Sequence, residues 1–486
     1  GLRQRQLLKE WVCFTILLAA DYWFVRVGLF LSVIVRRNVL PQIWPPFFGQ
    51  LPSLYMEAFY PVFFDFVIPS IFIGFIAHAR LYTRRLPFSQ NAEYMLKACI
   101  YSTLVIILVL FLLADTMDKS RLLIFLFGPI IFCTLCVGRW ITKSFLLKMN
   151  LWQRDVLMVG AGQTAEQLLN CFERDPFLGY RVIGALEDNP DTSPIRNRTR
   201  ILGRFSDIGT VLSQSRVRWV IIAAPGLSRQ ALVTLTRAIH PYAAQLTIVP
   251  DLFGIPQAHI EIDNLFYERS VLLHIRNNLA GWQNRVLKRI LDLVCVLLLL
   301  PLLLPLMMVI AIAIRLDSSG PAIFVSERVG RGKRLFPCLK FRTMHQNSEQ
   351  LLQDYLDQNQ EAAEEWNCYA KLKGDDPRVT RVGKCLRRWS LDELPQIVNV
   401  LVGTMSLVGP RPYLPSETKR IGADLETILI SRPGITGYWQ VNGRSERTFQ
   451  ERIEMDVWYI YNWSPWFDFM IMIRTIKVVA RCKGAY

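Results

Sequence analysis

Four apolar stretches in the first 150 residues, at about 11–35, 57–79, 96–114 and 121–138, each approach the roughly 20 residues that a helix needs to cross a bilayer. In lipid a backbone must satisfy its own hydrogen bonds, so residues 1–150 are expected to form a four-helix membrane module. The composition agrees, with 52% hydrophobic residues and a mean hydropathy of +0.25 over 486 residues. Cations gather before the first stretch (Arg3, Arg5, Lys9), between the second and third (Arg80, Arg84, Arg85) and after the fourth (Arg139, Lys143, Lys148). That bias predicts both ends of the module in the cytoplasm, with Arg36 and Arg37 as the exception. Asp21 and Asp65 fall inside apolar stretches and are expected to pair between helices rather than to line a transport path. Gly1 suggests a processed or cloned terminus, and nothing ahead of the first stretch reads as a cleavable signal.

From Arg154 the texture changes to short β-rich runs alternating with helical patterns, including "DVLMVGAGQTAEQLL", "RVIGALED" and "VRWVIIAAP". Residues 151–270 therefore read as an α/β Rossmann-like domain. Gly160 and Gly162 follow a strand and open a helix, the setting of a nucleotide-binding loop, with Glu187 and Asp188 closing the next strand. The same glycines equally suit a tight turn in a domain that binds nothing. A further apolar run, Leu293 to Ile314, contains Pro301 and Pro305 near its middle and is flanked by Lys288, Arg289 and Arg315. Cations at both ends favour one side of the membrane for both, so residues 286–316 are expected to enter, break at the prolines and return.

Beyond Gly320 the chain is polar and rich in arginine. "RVGRGKRLFPCLKFRTM" reads as a hairpin turned by Gly330 and Gly332 that presents Arg328, Arg331, Lys333, Lys340 and Arg342 to an anionic lipid surface or a phosphorylated substrate. A net charge of +16 spread beside apolar segments fits those partners better than nucleic acid. In "SLDELPQ", Ser390 and Glu393 match a capping box, predicting a helix with Leu394, Ile397, Val398 and Leu401 on one face until Gly403 stops it. The cap leaves the preceding Arg381, Lys384, Arg387 and Arg388 unexplained. A helix start flanked by arginines is an anion site, where Arg387 or Arg388 would hold a phosphate against Asp392. A carboxylate so placed can attack phosphorus, and its neighbour can hold Mg2+. Arg411 lies between two prolines, "RPGITGYWQVNGR" offers aromatics and Arg444 for a base and a phosphate, and Asp456 precedes an aromatic-rich helix suited to the membrane interface.

Together "KRILDLV", "GPAIFVSERVG", "FPCLKFRTM", "SLDELPQIVNVLVGTMSLVGPRP", "PGITGYWQVNGR" and the terminal "GAY" resemble the large monotopic phosphoglycosyl transferases, of the bacterial sugar transferase family, across residues 280–486. The resemblance implies three parts: a membrane α-helical bundle, the α/β Rossmann-like domain, and an α+β monotopic catalytic domain with a re-entrant helix. It implies transfer of a hexose-1-phosphate, galactose-1-phosphate before glucose-1-phosphate, from a UDP-sugar to undecaprenyl phosphate, with release of UMP. Such a reaction would initiate O-antigen, capsule or exopolysaccharide synthesis on the cytoplasmic face of a bacterial inner membrane. Asp392 would be the nucleophile of a covalent phosphosugar intermediate and Glu393 the Mg2+ ligand. Arg387 and Arg411 would contact phosphates and Arg444 the nucleotide, with Lys340, Arg342 and Asp456 as further substrate contacts and a homodimer as the assembly. Leu304-Pro305 stands where the family often has Ser-Pro, and Ser445-Glu446 replaces the usual Asn and acid after "NGR". The rival reading is a membrane-anchored scaffold that senses nucleotide through the middle domain and carries out no chemistry.

Overall fold

The computed structural model describes residues 2–43, 62–112, 121–215, 217–250, 260–265, 270–275, 278–279, 281–359, 376–443 and 447–480. The chain divides into two units, Gly1–Asp251 and Leu252–Tyr486. In the first, long apolar helices run through Leu2–Ile34, Phe88–Leu112 and Arg121–Lys148, with a shorter apolar segment at Phe63–His78. Residues 57–61 of the expected second span lie outside the described residues. Leu17, Val25, Phe72, Ile76, Ile106 and Ile131 form the bundle core. The expected pairing of the intramembrane acids is present. Arg139 Nε donates to both oxygens of buried Asp21 at 2.9 and 3.0 Å, and Arg26 meets Asp65 at 2.8 Å. Because the last helix continues to Lys148, Arg139 is a buried partner of Asp21 and not a cation beyond the span.

The rest of this unit is a parallel sheet of order β3-β2-β1-β4-β5, built from β1 (Arg154–Val159), β2 (Tyr180–Leu186), β3 (Ile201–Gly203), β4 (Trp219–Ile222) and β5 (Gln245–Ile248). Alternation along β1 explains the layers. Leu157 and Val159 join a core with Leu212, Leu235 and Ile239 from one set of helices, whereas Met158 packs with Ala165 and Leu169 from another. The order reverses beside β1, as in doubly wound folds. The parallel sheet ends at Ile248, and the antiparallel hairpin of β6 (Ile260–Leu265) and β7 (Ser270–Ile275) falls in the second unit, so the boundary lies earlier than 270.

The second unit contains the 36-residue helix Trp282–Asp317. The break expected at Pro301 and Pro305 is not an interruption, because the helix is continuous through both. Each proline removes one donor, and the ladder re-forms on either side. Val296 and Leu300 before the prolines and Leu303 between them pack with Phe336, Cys338, Ile397 and Val400; after them Met307, Ile310 and Ile314 pack with Ala322, Phe341 and Leu386. Leu298, Leu302 and Leu316 stay bare on the other face. Lys288, bonded to Asp468, and Asp292, which accepts from Ser406 Oγ at 2.8 Å and Leu407 N at 3.1 Å, fasten the helix near its start. Asp317, accepting from Val382 N at 3.0 Å, fastens its end.

The expected hairpin is present as β8 (Ile323–Val329) and β9 (Leu335–Phe341), antiparallel, with Gly332 at φ 64° in the turn. The short parallel strands β10 (Ser406–Val408) and β11 (Gly434–Thr436) sit deeper in the fold. The aromatic-rich helix expected after Asp456 is two helices, Phe449–Tyr461, which contains Asp456, and Pro465–Ala480. Their aromatics serve the core more than a membrane interface: Tyr459 and Trp463 are buried and both donate to Asp468, at 2.7 and 3.0 Å. Phe469, Ile473 and Ile476 alone of this segment's larger apolar groups join Trp458 at the surface.

Candidate active site

The acidic pair is positioned by two helix ends. Arg381–Trp389 begins at Thr380, whose side chain accepts from Gly383 N at 2.9 Å, and it packs so tightly that a Cβ on Gly383 would sit 2.2 Å from Thr343 O. The helix stops at Ser390, which adopts a left-handed conformation with φ 54°. The predicted capping box is therefore absent. A left-handed residue cannot serve as the extended N-cap, the Ser390 side chain caps nothing, and Glu393 turns to Lys340 instead. Leu391–Glu393 form a tight turn, and the next helix, Gln396–Val402, ends at Gly403 as expected. Its buried face carries Ile397 and Val400, with Val398 exposed.

That turn sets Asp392 and Glu393 in the wall of a cavity of about 1360 Å³, with Lys340, Arg342 and Arg387 also lining it. Lys340 Nζ lies 2.9 Å from Glu393 Oε1, and Arg387 Nε donates to Thr343 Oγ1 at 3.0 Å. Burial, and then the Glu393 charge, push the Asp392 carboxyl up to about 6, while Lys340 and Arg387 pull it down. Burial lowers the Arg387 guanidinium from its usual range, opposed by Asp392. Helical spacing resolves the basic approach, since Arg381, Lys384 and Arg388 face solvent and Arg387 alone of the four reaches the cavity. Arg342 is buried and donates to Ser318 O and Oγ at 2.8 and 2.9 Å, joining the cavity to the end of the proline-containing helix.

Other predicted residues lie elsewhere. Asp456 is wholly buried and is not part of the cavity lining; it accepts from Tyr413 Oη at 2.8 Å and Arg411 N at 3.3 Å. Burial pushes its carboxyl up to about 7. Its expected substrate contact is replaced by support of the 410–413 loop, to which Arg328 Nη1 also donates, at Pro412 O, 3.2 Å. Arg411 is likewise outside the lining, with its guanidinium 6.0 Å from the Trp439 ring. Arg444, Ser445, Glu446 and the terminal "GAY" lie outside the described residues. Sequence reasoning missed Arg452, which lines the cavity with its guanidinium 5.0 Å from the Trp439 ring, and Gln440, which lines the cavity as well. Arg452 sits in a charged helical stretch with no motif to mark it. Tyr438, a candidate for base stacking, is already stacked on Trp458 at 4.7 Å.

Among the described residues no group of three or more His, Cys, Asp or Glu is placed to hold a metal. Glu393, in the cavity wall beside Asp392, would fit Mg2+ as a single carboxylate ligand, since Mg2+ commonly takes one or two carboxylates and completes its shell with substrate phosphates and water.

In the α/β domain, Gly160 has φ +101°, and a Cβ there would lie 2.7 Å from Ala223 O. Ala161 N donates to Glu187 Oε2 at 2.6 Å, and Glu187 Oε1 accepts from Asp188 N at 3.0 Å. The central amide of the glycine loop is thus occupied by the chain's own carboxylate.

The family described as "Bacterial sugar transferase" matches residues 283–482, and that described as "CoA-binding domain" matches 78–250. The undecaprenyl-phosphate galactose phosphotransferase of Salmonella typhimurium is 35% identical over 348 residues, 72% of each chain. This chain belongs to the bacterial sugar transferase family. It is a phosphoglycosyl transferase. The UDP-galactose-lipid carrier transferase of Erwinia amylovora is 34% identical over 364 residues, covering 72% of this chain and 73% of its own. The UDP-glucose:undecaprenyl-phosphate glucose-1-phosphate transferase of Escherichia coli is 30% identical over 365 residues, 74% of each. The Glu187 contact does not fit a coenzyme A pyrophosphate at the Ala161 amide, since two anions would compete for one donor.

Proposed function

We propose that this transferase moves a hexose-1-phosphate from a UDP-sugar to undecaprenyl phosphate with Asp392 as nucleophile. The observation that carries the reading is a half-buried carboxylate in a large cavity, opposite Lys340 and Arg387, in a domain bearing a long bare apolar helix. A carboxylate oxygen of Asp392 attacks the β-phosphorus, the bond from that phosphorus to the bridging oxygen breaks, and UMP leaves with the electron pair. An oxygen of undecaprenyl phosphate then attacks the same phosphorus, the aspartyl–phosphorus bond breaks, and the carboxylate is regenerated. Arg387 and Lys340 hold phosphate charge next to Asp392 throughout. Mg2+, held by Glu393 and the diphosphate, would neutralise charge on the departing phosphate.

Arg411 acts from the loop that Asp456 and Arg328 support. Galactose-1-phosphate is the favoured cargo, since two of the three compared relatives are named for galactose; glucose-1-phosphate is the alternative. The product would begin an O-antigen, capsule or exopolysaccharide chain at the cytoplasmic face of the inner membrane, made by a homodimer. Re-entry of the proline-containing helix is supported by its fastening to one domain near both ends, at Lys288 and Asp317. The test is UMP release from a panel of UDP-hexoses with Mg2+ and undecaprenyl phosphate. Release confined to one sugar would name the cargo, and no release from any would refute the reading.

A further inference from the structure

The cavity lining carries polar groups that the transfer chemistry does not use. After β11 and Gly437, the short helix Tyr438–Val441 places Trp439 and Gln440 in the lining of the same cavity as Asp392. Trp439 is only 7% exposed, with Arg411 and Arg452 at 6.0 and 5.0 Å from its ring. Those cations engage the ring, so it is poorly placed to stack a base. Its indole Nε1–H nevertheless has no partner among the described residues, and neither has Gln440 Oε1. Gln440 Nε2 is directed to Ile435 O at 3.5 Å, which favours the carbamoyl orientation that leaves Oε1 as the open acceptor. Buried donors and acceptors are seldom left unpaired, and a pair of them on a cavity wall marks where a ligand supplies the missing partners.

We propose that Trp439 and Gln440 form the base-reading subsite of this cavity and select uracil. The inference rests on the uridine-nucleotide donor proposed above. The edge of uracil offers a carbonyl acceptor, the N3–H donor and a second carbonyl acceptor. Trp439 Nε1–H donates to a carbonyl, and Gln440 Oε1 accepts from N3–H. Cytosine presents a bare N3 lone pair there, so the carbamoyl oxygen would face another acceptor. A site built from buried hydrogen-bonding groups rejects the mismatched ligand because its own groups are then left unpaired. Sequence neighbours thereby supply one donor and one acceptor from a single helical turn.

The test is calorimetric titration of the full-length membrane protein with UMP and with CMP, for wild type, Trp439→Phe and Gln440→Leu. Trp439→Phe keeps an aromatic ring near the two arginines while removing the N–H together with one ring of the indole. Wild type is expected to prefer UMP, and each variant to bind UMP roughly tenfold or more weakly, with CMP little changed. The KM for undecaprenyl phosphate should stay constant in both. Thermal unfolding identifies any variant that fails to fold, in which case the other decides. Unaltered UMP affinity and an unaltered UMP to CMP ratio in folded variants would overturn the subsite alone. A wild-type protein that binds no UMP would overturn the uridine-nucleotide donor and the subsite with it.

Discussion

Asp392 combines the two properties that an enzymic carboxylate nucleophile needs, restricted solvation and neighbouring cations. Its raised value near 6 means that it carries a proton below that pH and is mostly ionised at pH 7. Since only the ionised form attacks, transfer should rise with pH through about 6 and then level. Arg387→Gln removes a cation that favours the ionised form, so the acid limb of the kcat/KM profile should move to higher pH; an unmoved limb would detach it from Asp392. Asp456 gives a second pH signature. Its folded value near 7 stands above the usual unfolded carboxylate value of about 4, so folding binds a proton and stability falls as pH rises between the two. Asp456→Asn preserves its shape and should flatten that fall, read as the change in Tm between about pH 5 and 7.5. The acids themselves were legible in the sequence as a pair ending a basic run. The left-handed Ser390 was not, because "SLDE" satisfies a capping box locally while Lys340, distant in sequence, captures Glu393 only in the folded chain.

Among the elements, periodicity read well wherever one face is buried and one is not. The β8–β9 hairpin and the Gly403 helix stop appear where turn chemistry predicted them, and the strands of the parallel sheet follow their β-rich runs. The proline-containing helix is continuous where the sequence predicts an interruption, since proline's cost depends on whether neighbours re-satisfy the freed carbonyls, which local sequence does not encode. Its direction in the membrane is open to experiment. Single cysteines at exposed Gln283 and Ser319, in a background without reactive native thiols, should label from the same side of sealed vesicles. Labelling from opposite sides would refute re-entry. The glycine loop of the α/β domain shows a different limit of motif reading: Gly160 is explained by its close approach to Ala223, and Glu187 occupies the loop amide that a phosphate would need.

Over the whole molecule, apolar length revealed the membrane helices, but the ion pair that joins two of them required the fold. Asp21→Ala would leave Arg139 buried without its carboxylate and should cost about 3–5 kcal/mol, with the double alanine variant less damaged than this single one. Thermal unfolding in detergent measures both. A double variant as unstable as the sum of its parts would show that the two residues act separately. The catalytic unit needs one decisive observation. Intact-protein mass spectrometry after incubation with UDP-galactose and Mg2+, without lipid acceptor, should show wild type gaining a hexose phosphate that undecaprenyl phosphate then discharges, and Asp392→Asn gaining nothing. A hexose phosphate on Asp392→Asn, or full transfer by that variant, would contradict Asp392 as the nucleophile.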